Sequence, residues 1–416
     1  MKRPYFRFVS VFLVAIVVSG FFGFVFAESE EINLPQRKIV VFKDGVSDVE
    51  KGRILSAARS VKVHKLRHGD ALVAYVDNTS ETKLLKNAKV VRVEDDVVVE
   101  ALEGAADATD KKAKPAATQP VQMLPWGVYR INADRVWTLG ETGGGINIGI
   151  IDTGISTTHP DLLGNIKGGV SEVAYTSNWN DDNGHGSHVA GVVAALNNTI
   201  GVVGGVPAAN LYAIKVLDRN GSGYLSDVID GIDWATANGM QVINLSLGTT
   251  TDVRSLHDAV IRAQNAGVVV VAAAGNSGGS VIYPAAYPEA IAVAATDFSN
   301  SAPYWSSRGP EVDLAAPGVS IYSTYKGTKY ATLSGTSMAS PHVAAAAAFV
   351  LKRATDTAFD ELDNSCVSEF DVNCNGAWDP KEVQAKLEAT ATDLGTGGQD
   401  DIYGYGLVSA YAAFTN

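Results

Sequence analysis

Cysteine, methionine and positive charge are scarce in this chain of 416 residues, which has two cysteines, four methionines and fewer basic than acidic residues (33 against 45). Two cysteines form one disulfide at most, so disulfides are not the main source of stability. The formal net charge of −12 argues against nucleic acid or an anionic membrane surface as a partner. With 46% hydrophobic residues, the chain is long enough for more than one domain with a sizeable core.

An apolar stretch at the N-terminus indicates the compartment. Three basic residues, Lys2, Arg3 and Arg7, precede an uncharged run over residues 8–26, and Ala27 offers a small residue for cleavage. This order is typical of a secretory signal peptide, so residues 1–27 predict a secreted, extracellular protein. A retained membrane anchor is the alternative, because the run approaches the ~20 residues that span a bilayer.

Residues 28–103 have the pattern of a small α+β domain. Strand-like and helix-like stretches alternate there, over residues 38–42, 46–60, 71–76, 81–87 and 90–93. Residues 104–121, rich in Ala, Lys, Thr and Pro, lack the apolar residues that a core requires. We therefore predict a flexible linker over residues 104–121.

From residue 122 to residue 416, apolar strands alternate with helical segments. The strand-like runs cover residues 146–151, 211–216, 242–246, 268–274 and 290–294. Continuous apolar strands of this kind are typical of a parallel sheet that helices cover on both faces. The predicted fold class is therefore α/β, with a mostly parallel sheet between helices in three layers, preceded by the small α+β domain.

A serine at the start of a helical segment is the first candidate catalytic residue. Ser337 lies among small residues, and an Ala-rich run over residues 343–350 follows it. We expect Pro341 to fall in the first turn of this helix, where proline is tolerated. Such a position directs helix N–H groups at a nearby negative charge. A serine hydroxyl alone is a weak nucleophile, so the chain should also provide a base and a group that orients it.

The chain provides both partners. Asp152 follows the apolar run over residues 146–151, and His185 lies among small residues at positions 183–190. Together they predict an Asp-His-Ser triad, in which Ser337 attacks a carbonyl, His185 transfers the proton and Asp152 orients the imidazole. Each residue alone would more simply be a helix cap or a hydrogen-bonded core group, but three motifs in one chain favour catalysis.

These motifs, in this order, resemble those of the subtilisin-like serine proteases, the subtilase family. The resemblance covers residues 122–416 and implies a serine endopeptidase. It also implies that residues 28–103 form an inhibitor-type propeptide, which assists folding and blocks the cleft; an independent domain of other function is the alternative. We assign maturation cleavage to the linker and expect the chain to make this cut itself, between Ala101 and Gln122. Three further histidines of these motifs are expected to be structural, namely His159, His188 and His342.

The resemblance also assigns an oxyanion donor and the walls of a substrate cleft. Asn276 matches the family's oxyanion asparagine and would act with the backbone N–H of Ser337; an asparagine that closes a turn is the alternative. Two segments match the edges that pair with an extended peptide, and they comprise Ser246, Leu247 and Gly248 on one side and Gly221, Ser222 and Gly223 on the other. Because backbone pairing depends little on side chains, broad specificity is expected.

Two positions should adjust that specificity. Leu225 is expected to line the P4 pocket, where relatives often have an aromatic residue. Ile282, which stands just before Tyr283-Pro284, should make the P1 pocket shallower. The alternative for Ile282 is a side chain that points into the core.

The resemblance further implies a calcium site. Its ligands would be the side chains of Gln122, Asp161 and Asn198 and the carbonyls of Leu196, Ile200 and Val202, in a loop that interrupts a helix. Oxygen ligands from both side chains and carbonyls suit calcium. A plain turn is the alternative for the loop alone.

A second candidate calcium site comes from the residues themselves. Residues 371–382 fit the twelve-residue EF-hand loop, with ligand positions at Asp371, Asn373, Asn375, Ala377, Asp379 and Glu382. The alternative is a helix N-cap, in which Asp379 and Glu382 form a capping box. The loop belongs to a predicted insertion over residues 363–382, where Cys366 and Cys374 favour a disulfide over two free thiols in a secreted chain.

Three functions follow from these observations. The first is a secreted, calcium-stabilised serine endopeptidase, monomeric and made as a self-processing zymogen, that acts on proteins and peptides and has its own propeptide as a partner. The second is a processing protease of narrow specificity, for which a shallow P1 pocket is weak support. The third is a tethered binding module that uses the EF-hand-like loop, against which the intact catalytic set argues.

Overall fold

The computed structural model describes residues 34–68, 70–102, 119–353 and 377–416, together with two short strands, Phe359–Asp360 and Ser365–Cys366. The predicted signal peptide, most of the predicted linker and the first half of the EF-hand-like loop lie outside these residues. The predicted disulfide lies outside them as well, because it involves Cys374 and the side chain of Cys366.

Residues 34–102, the N-terminal unit, form a small α+β domain followed by one more strand. Its elements are β1 (Gln36–Phe42), α1 (Asp48–Ala57), β2 (Val61–Lys65), β3 (Ala71–Val76), α2 (Asn78–Leu85), β4 (Val90–Asp95) and β5 (Val98–Ala101). The first four strands pair antiparallel in the order β2-β3-β1-β4. Ser47 and Asp77 accept backbone N–H bonds at the starts of the two helices, which satisfies amides that would otherwise lack partners. The predicted strands and helices are present, whereas β2 and β5 were not predicted.

The large domain, residues 119–416, alternates strands and helices. Its elements are α3 (Trp126–Arg130), α4 (Ala133–Trp137), β6 (Asn147–Asp152), β7 (Ile166–Ser171), α5 (His185–Ala194), β8 (Asn210–Lys215), β9 (Ser222–Tyr224), α6 (Leu225–Ala237), β10 (Val242–Leu245), β11 (Leu247–Gly248), α7 (Arg254–Asn265), β12 (Val269–Ala273), β13 (Ala290–Thr296), β14 (Leu314–Pro317), β15 (Ile321–Tyr325), β16 (Lys329–Leu333), α8 (Thr336–Lys352), β17 (Phe359–Asp360), β18 (Ser365–Cys366), α9 (Pro380–Ala389) and α10 (Ala410–Thr415). Within the described part of the chain, no helix combines the length and apolar character needed to cross a membrane.

A seven-stranded parallel sheet organises this domain, with strand order β14-β13-β12-β10-β6-β8-β7. Its two faces are both buried. Along β12, Val269 and Val271 belong to one apolar cluster, which also contains residues of α5, α8, α9 and α10. Val270 and Ala272 belong to a second cluster, which contains residues of α6 and α7. The predicted three-layer α/β fold is therefore confirmed.

Strand β5 joins the two parts of the molecule. It leaves the N-terminal unit and pairs antiparallel with both β9 and β11, which makes a three-stranded sheet in the order β11-β5-β9. Its pattern of exposure alternates, with Val99 buried and both Val98 and Glu100 exposed. An extended segment of the N-terminal unit thus lies between two edges of the large domain.

Polar contacts outside β5 also hold the N-terminal unit in place. The Asp96 carboxylate accepts a 2.8 Å bond from the backbone N–H of Ser226, in the first turn of α6, where a helix favours negative charge. Arg67 pairs with Glu172 at 2.6 Å, and Arg92 pairs with Asp258 at 2.8 Å. Burial in this interface raises the pKa of Asp227, next in the same helix turn, to about 7.

The predicted linker is shorter than expected at its C-terminal end. Gly201 donates its backbone N–H to the Pro120 carbonyl at 2.8 Å, and Val121 forms an antiparallel bridge with Ile200. The prediction of a flexible linker as far as Val121 is therefore wrong for these last residues. Residue composition could not show this, because the partner loop lies far away in the sequence.

Two local predictions about helices also need correction. Pro341 lies inside α8, which begins at Thr336, so this proline follows the first turn instead of lying in it. The loop over residues 196–202 does not interrupt a helix, because α5 ends at Ala194 and the next regular element is β8.

Candidate active site

Two of the three predicted catalytic residues, Asp152 and His185, are hydrogen-bonded to each other at one edge of the parallel sheet. Asp152 is the last residue of β6 and His185 is the first residue of α5. The imidazole Nδ1 lies 2.9 Å and 2.8 Å from the two carboxylate oxygens of Asp152. Asp152 also accepts the backbone N–H of Thr153 at 2.6 Å. The carboxylate can therefore fix the tautomer and orientation of the imidazole.

A second buried carboxylate, not predicted from the sequence, shapes the loop before His185. Asp181 accepts the backbone N–H groups of Asn183 and Gly184 at 2.9 Å and 2.8 Å and the hydroxyl of Ser187 at 2.5 Å. Burial raises its pKa, while these donors oppose the shift. Because the bonds reach residues on both sides of His185, Asp181 positions the start of α5.

Lys215 is a further buried residue that the sequence analysis missed. It pairs with Asp152 in the β6–β8 register, and its side chain is 0% exposed. Its Nζ donates to the carbonyls of Thr153 and Leu217 at 2.7 Å and 2.8 Å and to Asp182 at 2.7 Å. The available sequence signal was a charged residue at the end of a mostly apolar strand, but it did not show that Lys215 would be buried and hydrogen-bonded.

The main chain of the N-terminal unit contacts the predicted catalytic serine and the predicted oxyanion donor. The carbonyl oxygen of Leu102, the residue after β5, lies 2.6 Å from Ser337 Oγ and 2.7 Å from Asn276 Nδ2. Ser337 Oγ also donates toward the Ser246 carbonyl, at 3.0 Å. A hydroxyl nucleophile and an amide donor therefore contact the same peptide carbonyl.

The amide of Asn276 is oriented by its neighbours. Its Oδ1 accepts bonds from both the backbone N–H and the hydroxyl of Thr336, each at 2.9 Å. Since this oxygen faces two donors, the amide nitrogen must face the Leu102 carbonyl. The geometry suits the predicted oxyanion donor better than an asparagine that merely closes a turn.

A polar network supports the helix that carries Ser337. Proline lacks a backbone N–H, so Pro341 frees the carbonyl of Ser337, four residues earlier. The hydroxyl of Ser246 donates to that carbonyl at 2.9 Å, and Asn244 donates to the same hydroxyl at 2.8 Å. Ser340 donates in turn to Asn244. The sequence signal for this network was an asparagine, Asn244, within the otherwise apolar strand β10.

Both predicted edges of the cleft pair with an extended chain. Glu100 lies opposite Ser222 on one side and Gly248 on the other. The backbone N–H of Ala101 reaches the Gly221 carbonyl at 2.8 Å, and that of Leu102 reaches the Ser246 carbonyl at 3.2 Å. Residues 221–223 and 246–248 are thus the two edges of one groove. Strand β5 occupies this groove and pairs with both edges through its main chain.

The two predicted specificity positions lie beside this strand. Leu225 is buried in the same apolar cluster as Val99. Val99 lies three residues before Leu102. Ile282 is only half-buried. A Cβ added to Gly248 would lie 2.6 Å from its Cδ1, and one added to Gly275 would lie 3.3 Å from its Cγ1. The Ile282 side chain therefore lies between two glycines of the cleft, which favours the pocket over the core.

The remaining histidines of the motifs have only structural contacts among the described residues. His188 Nε2 contacts the carbonyls of Ile321 and Ala331 at 2.9 Å and 3.1 Å, and burial lowers its pKa to about 3. Burial likewise lowers the pKa values of His159 and His342 to about 4. Neutral imidazoles that bind main-chain carbonyls fit the expected structural role.

The residues of the first predicted calcium site cluster around one buried carboxylate. Asp161, 0% exposed, accepts from Asn198 Nδ2 at 2.7 Å and from the backbone N–H of Val202 at 2.9 Å. Gln122 contacts the same loop, since its Oε1 accepts the backbone N–H of Asn198 at 2.7 Å. Leu196 and Ile200, whose carbonyls were predicted as ligands, belong to this loop. The described residues hold no cluster of three His, Cys, Asp or Glu side chains, so amide and carbonyl oxygens would have to complete the site.

The charge around Asp161 fits a cation. Burial raises the pKa of this carboxyl, and the groups that donate hydrogen bonds to it, including Tyr330 at 3.1 Å, are neutral. Within the described ranges, no Lys or Arg pairs with Asp161. A buried carboxylate without a cationic partner is costly, and calcium would remove this cost.

The second half of the EF-hand-like loop forms a helix N-cap. Asp379 and Glu382 make the capping box that the sequence offered as the alternative, and Glu382 Oε2 accepts the Asp379 N–H at 2.9 Å. Asp371, Asn373 and Asn375 lie outside the described residues. Calcium binding by this loop therefore stays a prediction.

An aspartate that ends a parallel strand and is hydrogen-bonded to a histidine, together with a serine in the first turn of a helix, is typical of a serine hydrolase. Residues 143–406 match the model of the subtilase family. The alkaline protease of Shouchella clausii is 39% identical over 421 residues, which cover 99% of this chain and all of that protein. Subtilisin Savinase of Lederbergia lenta is 47% identical over 293 residues, covering 70% of this chain and 99% of that protein. The minor extracellular protease Epr of Bacillus subtilis is 40% identical over 386 residues, 90% of this chain and 55% of that protein.

The chain therefore belongs to the subtilase family, and it is a subtilisin-type serine endopeptidase.

Replacing Asp161 with Asn tests the first calcium site. In a Ser337→Ala background, which prevents self-digestion, calcium should raise the melting temperature of the parent clearly more than that of the Asp161→Asn chain, which keeps only the response of the EF-hand-like loop. The lost stabilisation should reach about 2.7 kcal/mol when calcium exceeds its Kd a hundredfold. Asp401→Asn, at an exposed carboxylate, is the matched control and should keep the full response. An equal response in all three chains would exclude Asp161 as a ligand.

Replacing Ile282 with Gly tests the P1 pocket. The variant should prefer Phe or Tyr over Ala or Val at P1 more strongly than the parent, by at least about tenfold in kcat/KM. Cleavage of a peptide library measures this preference. Val281→Ala removes volume from the adjacent core residue and should leave the profile alone. Identical profiles for the parent and Ile282→Gly would mean that Ile282 does not limit the pocket.

Proposed function

We propose that this protein is a secreted, calcium-stabilised endopeptidase, made as a zymogen that processes itself and then cleaves protein and peptide substrates. The observation that carries the proposal is the Leu102 carbonyl between Ser337 Oγ and Asn276 Nδ2, and the hydrogen-bonded Asp152–His185 pair supports it. A peptide bond of the chain itself thus lies where a substrate would react. Export is supported by the signal-like residues 1–27.

The proposed mechanism assigns one step to each group. Ser337 Oγ attacks the carbonyl carbon of the bound peptide, and His185 accepts the serine proton and later gives it to the leaving amine. Asp152 stabilises the charged imidazole. Asn276 Nδ2 and the Ser337 N–H bind the developing oxyanion. In subtilisin, a relative, loss of the corresponding asparagine donor costs ~10²–10³ in kcat.

The N-terminal unit is proposed to inhibit the enzyme before maturation. In the full chain Ser337 and His185 are both 0% exposed, and β5 fills the groove with main-chain bonds. Substrates need the same bonds, so they cannot enter while β5 stays bound. The ion pairs of Arg67 and Arg92 with the large domain would hold the unit in place.

Calcium is proposed to stabilise the large domain at the Asp161 site. Gln122, Asp161 and Asn198 would supply side-chain oxygens, and the loop over residues 196–202 would supply carbonyls. The Asn198 amide, which directs its nitrogen at Asp161, would have to turn its oxygen to the ion. Bound calcium would neutralise the buried carboxylate and tie residue 122 to the loop.

A processing protease of narrow specificity is the second candidate function. The position of Ile282 between Gly248 and Gly275 favours it, since a shallow pocket excludes large P1 side chains. The main-chain pairing along β5 favours broad specificity instead. A binding module that uses the EF-hand-like loop has less support, because Asp152, His185, Asn276 and Ser337 are all intact.

Replacing Ser337 with Ala tests catalysis and self-processing together. The variant should lose peptide hydrolysis and fluorophosphonate labelling, and mass spectrometry should find the N-terminal unit still covalently attached. Both changes follow from the loss of one nucleophile. Ser299→Ala, at an exposed serine, is the control and should mature normally. Normal maturation of Ser337→Ala in a host without other proteases would contradict self-processing.

Replacing Asp371 with Ala tests the EF-hand-like loop without touching its capping box. If the loop binds calcium, the variant should bind one ion fewer by elemental analysis, and it should lose stability only when calcium is present. Glu382→Ala also removes the cap, so it should lower stability by ~0.5–2 kcal/mol in chelator as well. An unchanged calcium count in Asp371→Ala would leave the motif as a helix cap alone.

A further inference from the structure

The chain segment between the N-terminal unit and the large domain is held at both of its ends. At one end Leu102 lies in the catalytic centre. At the other end Gln122 donates its backbone N–H to the Thr199 carbonyl at 3.1 Å, and Met123 donates to Gly201 at 2.9 Å. Both sets of bonds are present in the same uncut chain. Leu102 can therefore stay bound in the cleft while Gln122 and Met123 are bound to residues 199 and 201.

The spacing along the chain makes this arrangement possible. Residues 103–118 can span roughly 50 Å when fully extended, whereas a domain of this size has a radius of gyration of ~19 Å. By length alone, a connection of this many residues can reach from the cleft to the calcium loop. Residues 119–123 do not have to be released by cleavage before they can bind residues 197–202.

Leu102 is the residue whose bond is presented for cleavage. Its carbonyl receives both the Ser337 hydroxyl and the Asn276 amide, while its N–H pairs with the Ser246 carbonyl. Along the chain before it, Glu100 pairs with both edges and Val99 is buried with Leu225. Two main-chain carbonyls of the described residues accept from Ser337 Oγ, those of Leu102 and Ser246. Only Leu102 belongs to the N-terminal unit.

We infer that the first self-cleavage falls between Leu102 and Glu103, and that residues 119–123 are bound to the calcium loop before this cut. The inference rests on the proposed function. It refines the predicted interval from Ala101 to Gln122 to its N-terminal edge, just outside the linker over residues 104–121. The first mature form then begins at Glu103 and carries residues 103–118 ahead of a segment that is already bound.

The step is an ordinary acyl transfer. Ser337 Oγ forms an ester with the Leu102 carbonyl carbon, and the bond from that carbon to the Glu103 nitrogen breaks. The proton of the serine hydroxyl passes through His185 to the departing amine of Glu103. Water then hydrolyses the ester, which leaves a carboxylate on Leu102 and restores Ser337.

The first experiment maps the cut in the full chain. The wild-type chain is refolded from denaturant, and samples taken at early times are analysed by intact mass. We expect the earliest pair of products to end at Leu102 and to begin at Glu103. First products that begin between residues 104 and 121 would overturn the cleavage site.

Substitutions at Leu102 sharpen this test. Leu102→Asp would place a charge in the predicted P1 pocket and should slow the first cut at least tenfold, whereas Leu102→Met keeps the volume and should be cut at the same bond. Leu85→Asp makes the same change at an exposed leucine of the N-terminal unit and should mature normally. Equal rates for Leu102→Asp and wild type would contradict the inference.

The second experiment asks when residues 119–123 bind. Hydrogen exchange of a peptide that covers Gln122 and Met123 should be equally slow in the uncut Ser337→Ala chain and in the mature enzyme. Protection that develops only after cleavage would overturn this part of the inference. A wild-type chain that neither cleaves peptides nor reacts with a fluorophosphonate would instead contradict the proposed function, so the two failures are distinguishable.

Discussion

Parallel pairing of β6, β10 and β12 is the constraint on which the site depends. Because all three strands run in the same direction, their carboxyl ends meet at one edge of the sheet. Asp152 ends β6, Ser246 follows β10 directly, and Asn276 follows β12 by a short turn. Each residue is far from the others in sequence, yet the register of the strands determines their separation. A shift of one residue along β10 would move Ser246 away from the helix that carries Ser337.

Buried polar groups make this edge specific. The Ser337 carbonyl that Pro341 frees would be costly if unpaired, and Ser246 supplies the missing donor. Lys215 performs the same task for the carbonyls of Thr153 and Leu217. The Ser246 contact links the end of β10 to the helix that carries Ser337, and Lys215 links β8 to the residue that follows β6. Because an alternative packing would leave these buried groups without partners, the network favours one arrangement of the apolar core.

The sequence analysis predicted the features that depend on short local patterns. Asp152, His185 and Ser337 stand in short motifs, and the strands β6, β8, β10, β12 and β13 appear as apolar runs. Strand β5 was missed because its four residues have no partner nearby in sequence; its pairing with β9 and β11 depends on the complete fold. Pro120 and Val121 were assigned to a linker for the same reason. Lys215 carried a weak signal, a charged residue at the end of an apolar stretch, whose meaning depends on burial; Asp181, in a polar segment before His185, had no signal of its own.

In the zymogen that we propose, β5 and substrate peptides compete for the same groove. The groove holds β5 mainly through its main chain, and any extended peptide can make the same bonds. While the chain is uncut, a tethered segment such as β5 has an effective concentration of the order of millimolar, which disfavours such competitors. After the cut this advantage is lost, and contacts outside the groove must then hold the N-terminal unit. Asp96 at the start of α6 and the ion pairs of Arg67 and Arg92 are such contacts. Since substrates lack them, these contacts, more than the groove, determine how long the cut N-terminal unit continues to inhibit.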